Sequence, residues 1–431
     1  MFLTLFVKFF GYFYRILHIL YVQMGNCKTN GVYVFKLYKY EKVKSNSRTP
    51  LPRSGHRIVC DTKNLYSFGG YNPLITQSED EVRDDDDELN INSYPLFQEL
   101  WKYNFATKKW KCYSGRRTLP QELASNAVVR TGNYLMVYAC VYGGTGSPFG
   151  YRSSNQLYFC ALNSDSGQMV EVNTTGQHPI PQYGQALVCH NNYLYTIGGT
   201  TGFTYSCDIH RLNIKERVWE NVYICQGRAD YEPDGRYRHE VAFDGKNIYI
   251  LGGGTADNAF GFKKIPVFNI ELKRWSKAIA KRDRRSVLSG YHHTGIPSPR
   301  RCHGAVQIET DNDIQVFING GYDGDTVFDD LWRLELSTMQ WTFIQKCVLP
   351  SPTYFHSAAV SPEGKMYVFG GIYGGDQIRR SSDIYSVWLC IPKLSEICWE
   401  ALLHYNPQIC NYSKERLINS GLPRGFLDRL V

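Results

Sequence analysis

Residues 195–199 (YTIGG), 249–253 (YILGG) and 367–371 (YVFGG) are one short string written three times, an apolar run closed by a glycine pair. Looser copies stand at 65–70 (LYSFGG), 141–144 (VYGG) and 316–321 (VFINGG), which makes six. A histidine precedes the pair in four copies, at His56, His239, His303 and His356, and Asn126 and Gln185 hold the matching places in copies two and three. Four copies continue alike, with an apolar residue seven positions before a tryptophan: Tyr103 to Trp110, Leu212 to Trp219, Phe268 to Trp275 and Leu334 to Trp341. Internal repetition at this period signals stacked supersecondary units.

Each unit offers about four short strands, too small a sheet to stand alone. Six such sheets set radially bury their faces against one another and protect most of their edges. Glycine pairs belong where the chain must turn tightly while a neighbour comes close, and the tryptophans fill the wedge between adjacent sheets. The pattern resembles the kelch repeat from about residue 53 to 391, so the expected fold is all-β: a six-bladed kelch β-propeller (32–391) with a short C-terminal α-helical docking tail (392–431). Blade two lacks the tryptophan and has four extra residues, 139–142, before its glycine pair, so an irregular blade is expected there. The sixth repeat loses its last strand, because Pro392 interrupts and Leu394 stands where tryptophan should be. Residues 32–43 (VYVFKLYKYEKV) are strand-like and could supply it, which would close the ring and remove an edge.

In a propeller the residues leading into each first strand crowd one rim of the central channel, and the loops after the glycine pairs emerge at the same end. This rim gathers Ser125, Tyr183, Thr200, Thr201, Arg236, Tyr237, Arg238, Arg301, Tyr322, Tyr354 and Phe355. Arginine flanked by tyrosine in a low-dielectric mouth suits a carboxylate held by two parallel hydrogen bonds. A structural role competes with this for Arg53 most strongly, then for Arg236 and Arg300, and equally with it for Arg238 and Arg301, because arginine before this turn can bond loop carbonyls. The buried-strand histidines read as structural, with no metal-ligand spacing.

Past Pro392, Leu394, Ile397, Cys398, Ala401 and Leu402 mark one stripe of an amphipathic helix. Leu394, Cys398 and Leu402, spaced L-x-x-x-C-x-x-x-L, resemble the box by which substrate receptors dock onto elongin C. Leu422, Pro423, Phe426 and Leu430 resemble a short cullin-2 box. The strings RSGH (53–56), NLYSFGGYNP (64–73), RYRHE (236–240), IYILGGGT (248–255) and RRCH (300–303) resemble those of kelch-repeat substrate receptors of cullin-2 ubiquitin ligases. The resemblance implies a non-catalytic adaptor, partnered by elongin B/C and cullin-2, that binds C-terminal peptides (C-degrons) with their free carboxylate in the propeller mouth and prefers small terminal residues. Gly254 and Thr255 stand where a relative carries carboxylate-binding arginines, so Arg301 and Arg238 would substitute. The alternative is a kelch interaction scaffold without a ligase.

Other features set limits. No catalytic motif is present, and neither a cofactor nor a metal is expected; a kelch copper oxidase is the remaining enzymatic reading. The net charge of +8 is spread over 431 residues, which argues against a nucleic-acid partner. Thirteen cysteines, an odd number with no C-x-x-C pair, point to a reduced cytoplasmic and/or nuclear protein. Residues 78–88 (SEDEVRDDDDE) and 281–285 (KRDRR) read as solvated loops. Residues 1–31 read as an apolar extension; Lys8, Arg15 and His18 interrupt residues 1–24, which argues against a membrane span, and no leading charge or small-residue cleavage site marks a signal peptide, so no membrane partner is expected and a surface-lying membrane helix is the second reading.

Overall fold

The computed structural model describes residues 31–74, 96–113, 124–132, 137–146, 151–162, 167–227, 230–287, 294–311, 313–374 and 378–430. The acidic run 78–88 and residues 1–24 lie outside them. Six antiparallel sheets form the body. Their first strands are Arg57–Cys60, Ala127–Gly132, Ala186–His190, Glu240–Phe243, Gly304–Glu309 and Ser357–Val360. Each first strand touches the first strand of the next blade, and the sixth touches the first, so the ring is closed.

In blades one to five the fourth strand follows its own third strand. In blade six it is Glu41–Lys42, antiparallel to Ile384–Trp388 with Glu41 opposite Ser386. Only two residues of the 32–43 stretch form this strand, helped by a bridge from Leu37 to Trp388. Blade two is more regular than its sequence suggests. Val137–Thr145 absorbs the extra residues as added strand length, and its register shift beside Gly144 recurs beside Gly199 in blade three.

The glycine pair is explained by the neighbouring blade. Gly252 has φ of 60°, and a Cβ there would lie 2.9 Å from His303 Cε1 of blade five. A Cβ on Gly253 would lie 2.5 Å from the Cβ of His239 in its own blade. Gly198 meets His239, Gly320 meets His356 and Gly370 meets His56 in the same way, the last across the ring closure. Each histidine is therefore wedged between two glycine pairs, which is why the two signals recur together. These histidines are buried and held neutral: burial pulls His239 down to about 3 and His356 to about 4. The tryptophans also reach backward. Trp341 Nε1 donates to the Phe262 carbonyl of blade four at 3.2 Å, Trp219 packs on Tyr142 of blade two, and Trp110 on Phe369 of blade six.

Beyond the ring, α1 (Leu394–Tyr405), α2 (Lys414–Asn419) and α3 (Arg424–Leu427) form a small helical cluster. Its core is Trp399, Leu402, Ile409, Leu417, Leu422, Phe426 and Leu427, resting on Ala106 of blade one. Glu400 ties α1 to the ring, accepting hydrogen bonds from Lys365 at 2.5 Å, Trp388 at 3.0 Å and Tyr33 at 2.8 Å.

Candidate functional site

The residue just before the histidine position adopts a left-handed backbone in all six blades: Gly55, Ser125, Gly184, Arg238, Cys302 and Phe355, with φ between 52° and 68°. Their backbones form a closed circle of hydrogen bonds. Ser125 donates to Gly55, Gly184 to Ser125, Arg238 to Gly184, Cys302 to Arg238, Phe355 to Cys302, and Gly55 to Phe355, at 2.7–3.1 Å. The preceding residues pair with the loops after the glycine pairs: Ser54 with Tyr71, Ala124 with Thr145, Tyr183 with Thr200, Tyr237 with Gly254, and Arg301 with Tyr322. Tyr354 pairs likewise with Ile372. The circle satisfies its own backbone groups, so only side chains remain to read a ligand at this mouth.

Arg238 crosses the throat. It reaches from blade four to the Ser125 hydroxyl of blade two, and its guanidinium lies 4.8 Å from the Phe355 ring centre of blade six. It is 4% exposed, and burial, followed by the nearby Arg57 charge, pulls its pKa well below the usual guanidinium value, to about 10. Its Nε is buried without an acceptor, and so is Nη1 of Arg301, whose guanidinium sits 5.5 Å from the Tyr322 ring centre. Glu240, an acid whose field acts on Arg238, is bonded to Arg57 at 2.6 Å. Blades one and four stand opposite each other, so this ion pair spans the channel beneath the mouth. Aromatic rings complete the rim, with Tyr183 and Tyr205 both against Tyr237, and the Tyr322 ring tilted against Tyr354 at 5.1 Å.

Three expected rim residues serve the scaffold instead. Arg236 donates to the carbonyls of Asp234 at 3.1 Å and Gly252 at 3.0 Å and covers the Phe260 ring. Arg53 and Arg300 repeat this arrangement and add Glu99 and Asp330 as ion partners. The Thr200 hydroxyl donates to the Thr204 carbonyl, and that of Thr201 bonds Thr204, so both shape their own loop. Sequence reasoning missed Arg380, which reaches the mouth from the short strand Arg379–Arg380 of blade six. Its Nε donates to the Ser54 hydroxyl at 2.9 Å and its guanidinium lies 5.3 Å from the Tyr71 ring centre. A lone arginine pair after a glycine-rich turn carries no repeat signal, so no frame pointed to it. Among the described residues no group of histidine, cysteine or acid could hold a metal ion.

The tail residues divide between two surfaces. Leu394 is 40% exposed, Ile397 and Cys398 are half-buried, and Leu402 is buried in the tail core. Of the cullin-type residues, Leu422 and Phe426 are buried in that core, Phe426 stacked on Trp399, while Pro423 and Leu430 are half-buried. The four therefore do not form one free stripe. Among the described residues no helix is long and apolar enough to cross a membrane.

Comparison with known proteins agrees with the repeat. The model described as KLHDC2/KLHL20/DRC7 Kelch-repeats domain matches residues 92–295 and 245–402. The chain is 43% identical over 390 residues to the kelch domain-containing protein 10 homolog of Drosophila melanogaster, a match spanning 88% of this chain but only 62% of that protein. It is 41% identical over 383 residues to kelch domain-containing protein 10 of Homo sapiens, covering 89% and 80% of the two chains. Kelch domain-containing protein 1 of Mus musculus is more distant, 24% identical over 348 residues.

Proposed function

We propose, for a chain that belongs to the kelch domain-containing protein 10 family, that the ring captures target proteins by their free C-terminus and that α1 docks them onto elongin B/C and a cullin-2 ubiquitin ligase. A kelch ring is a protein-interaction scaffold; the proposal concerns what this one holds. The observation that carries it is the pair of buried, incompletely bonded guanidinium groups, Arg238 and Arg301, at a mouth where neither is hydrogen-bonded to an acid among the described residues. A buried charge without a counter-ion is costly unless a ligand supplies one. A peptide carboxylate would do so with paired hydrogen bonds. A short peptide buries little area, so its affinity must come from these few desolvated contacts.

Decapeptides ending in glycine or alanine, with free or amidated C-termini, test the capture by fluorescence polarisation. The free acids should bind and the amides should not; equal affinity sinks the carboxylate reading. The elongin arm rests on the solvent-facing half of α1, Leu394, Ile397 and Cys398. The burial of Leu422 and Phe426 favours a second reading, a scaffold that binds peptides without cullin-2. Co-purification of elongin C and cullin-2 with the intact chain, compared with a chain truncated after Ile391, separates the two.

A further inference from the structure

We propose that Arg380 forms a second anion subsite on the blade-six side of the mouth, which takes an aspartate or glutamate side chain of the captured segment upstream of its terminal carboxylate. This rests on the capture reading and adds a sequence preference to it. Arg380 is half-buried, one donor is fixed by the Ser54 hydroxyl, and its plane rests on Tyr71. No described acid pairs with it; its neighbours are the neutral phenols of Tyr71 and Tyr354, and burial lowers its pKa. Anchored at Nε, it presents its two terminal amino groups as a fork, the geometry that suits a carboxylate.

Aromatic rings lie between this point and the first subsite. Arg301 lies over Tyr322, Tyr322 packs at a tilt on Tyr354, and Tyr354 is near enough to Arg380 to act on it electrostatically. Steps of 5.5 Å and 5.1 Å lead from Arg301 to Tyr354; with one further step to Arg380, the two guanidinium groups stand on the order of 10–15 Å apart, roughly three to five residues of extended chain. A segment whose end lies in the throat would cross the tyrosines and present a side chain to Arg380.

The test uses the full chain and N-terminally labelled decapeptides ending in a free Ala-Gly, with a single glutamate placed in turn at each of the eight positions upstream, and matched glutamine peptides. One position, three to five residues from the end, should bind about three- to tenfold tighter with glutamate than with glutamine, the range for a partly exposed charge pair. Arg380→Gln should erase that difference, so that the glutamate and glutamine peptides bind alike. Arg380→Lys should restore part of it, which a purely structural role would not predict. If free-acid peptides bind and amides do not, but no position prefers glutamate or the preference survives Arg380→Gln, this inference alone fails. If amides bind as well as acids, or nothing binds, the capture reading fails and this one with it.

Discussion

Replacing Arg238 by methionine separates holding the ring from reading the ligand. Burial, with Arg57 second, pulls the Arg238 pKa well below the usual guanidinium value, to about 10. A tenfold change in proton affinity corresponds to about 1.4 kcal/mol, so keeping the charge in the throat costs the fold on the order of 3 kcal/mol. The sign is fixed by linkage: below about 10 both folded and unfolded chains carry the proton, so the penalty is constant through neutral pH, and stability would recover only as pH rises above about 10. Substitution is therefore the practical probe. Methionine removes the penalty and leaves the Ser125 hydroxyl unpaired, which returns roughly 1–2 kcal/mol of it. The hydrogen-bonded circle uses only the backbone of residue 238 and is untouched. R238M should gain about 1–2 kcal/mol, read as an apparent Tm a few degrees higher by scanning fluorimetry, while affinity for a free-acid peptide falls about 100-fold or more. Arg300 is the control. Its guanidinium bonds the carbonyls of Ser298 and Gly320 and pairs with Asp330, so R300M should lose about 3–5 kcal/mol. If R238M instead melts well below wild type and still binds peptide, Arg238 is a bolt like Arg300 and the mouth reads its ligand otherwise.

Other expectations follow from the blade contacts and the tail. Gly252→Ala forces a methyl into the space of His303 at a left-handed backbone position and should lower stability by about 2–4 kcal/mol, measured by urea denaturation. Because burial holds His239 near 3 and His356 near 4, the unfolded chain binds protons first as pH falls below 6.5. Thermal stability should therefore drop progressively from about pH 6.5 toward 4, and a flat Tm profile over that window refutes the packing of neutral histidines. On α1, Leu394→Asp should leave the melting curve within about 0.5 kcal/mol of wild type yet abolish elongin C co-purification, whereas Leu402→Ala should cost about 2–5 kcal/mol of tail stability.

The ring was legible because its signals repeat. Six glycine pairs, the histidines before them and four tryptophans in one frame each mark a place where one blade touches the next, and the same contact six times enforces the same residue types. The mouth was only half legible for the same reason. The frame located positions such as Tyr237, Arg238 and Arg301, but it could not tell a guanidinium aimed inward from one aimed at loop carbonyls. Arg236 and Arg238 are two residues apart, the second in the left-handed turn; one is bound to Gly252 and the other lies across the throat. Arg380 has no counterpart in the other blades, so repetition said nothing of it. In the tail, helical periodicity found the apolar stripe over Leu394–Leu402 but not which part faces outward, because that depends on Trp399 meeting Phe426, a contact between segments with no shared period.

The same circle explains how one ring can keep its fold while its mouth changes. Every backbone donor and acceptor that faces the throat at these six positions is bonded to an adjacent blade, and none of those bonds involves a side chain. Left-handed backbone strains most residues, by about 1 kcal/mol each, yet four of the six positions carry a side chain: Ser125, Arg238, Cys302 and Phe355. Glycine would relieve that strain at each. Its absence from those four places, while Gly55 and Gly184 make room for the Arg238 guanidinium and the Tyr237 ring, argues that the strain is retained for what the side chains do together. They form one device: a cation crossing the throat, a hydroxyl that holds its far end, and a ring beneath its face.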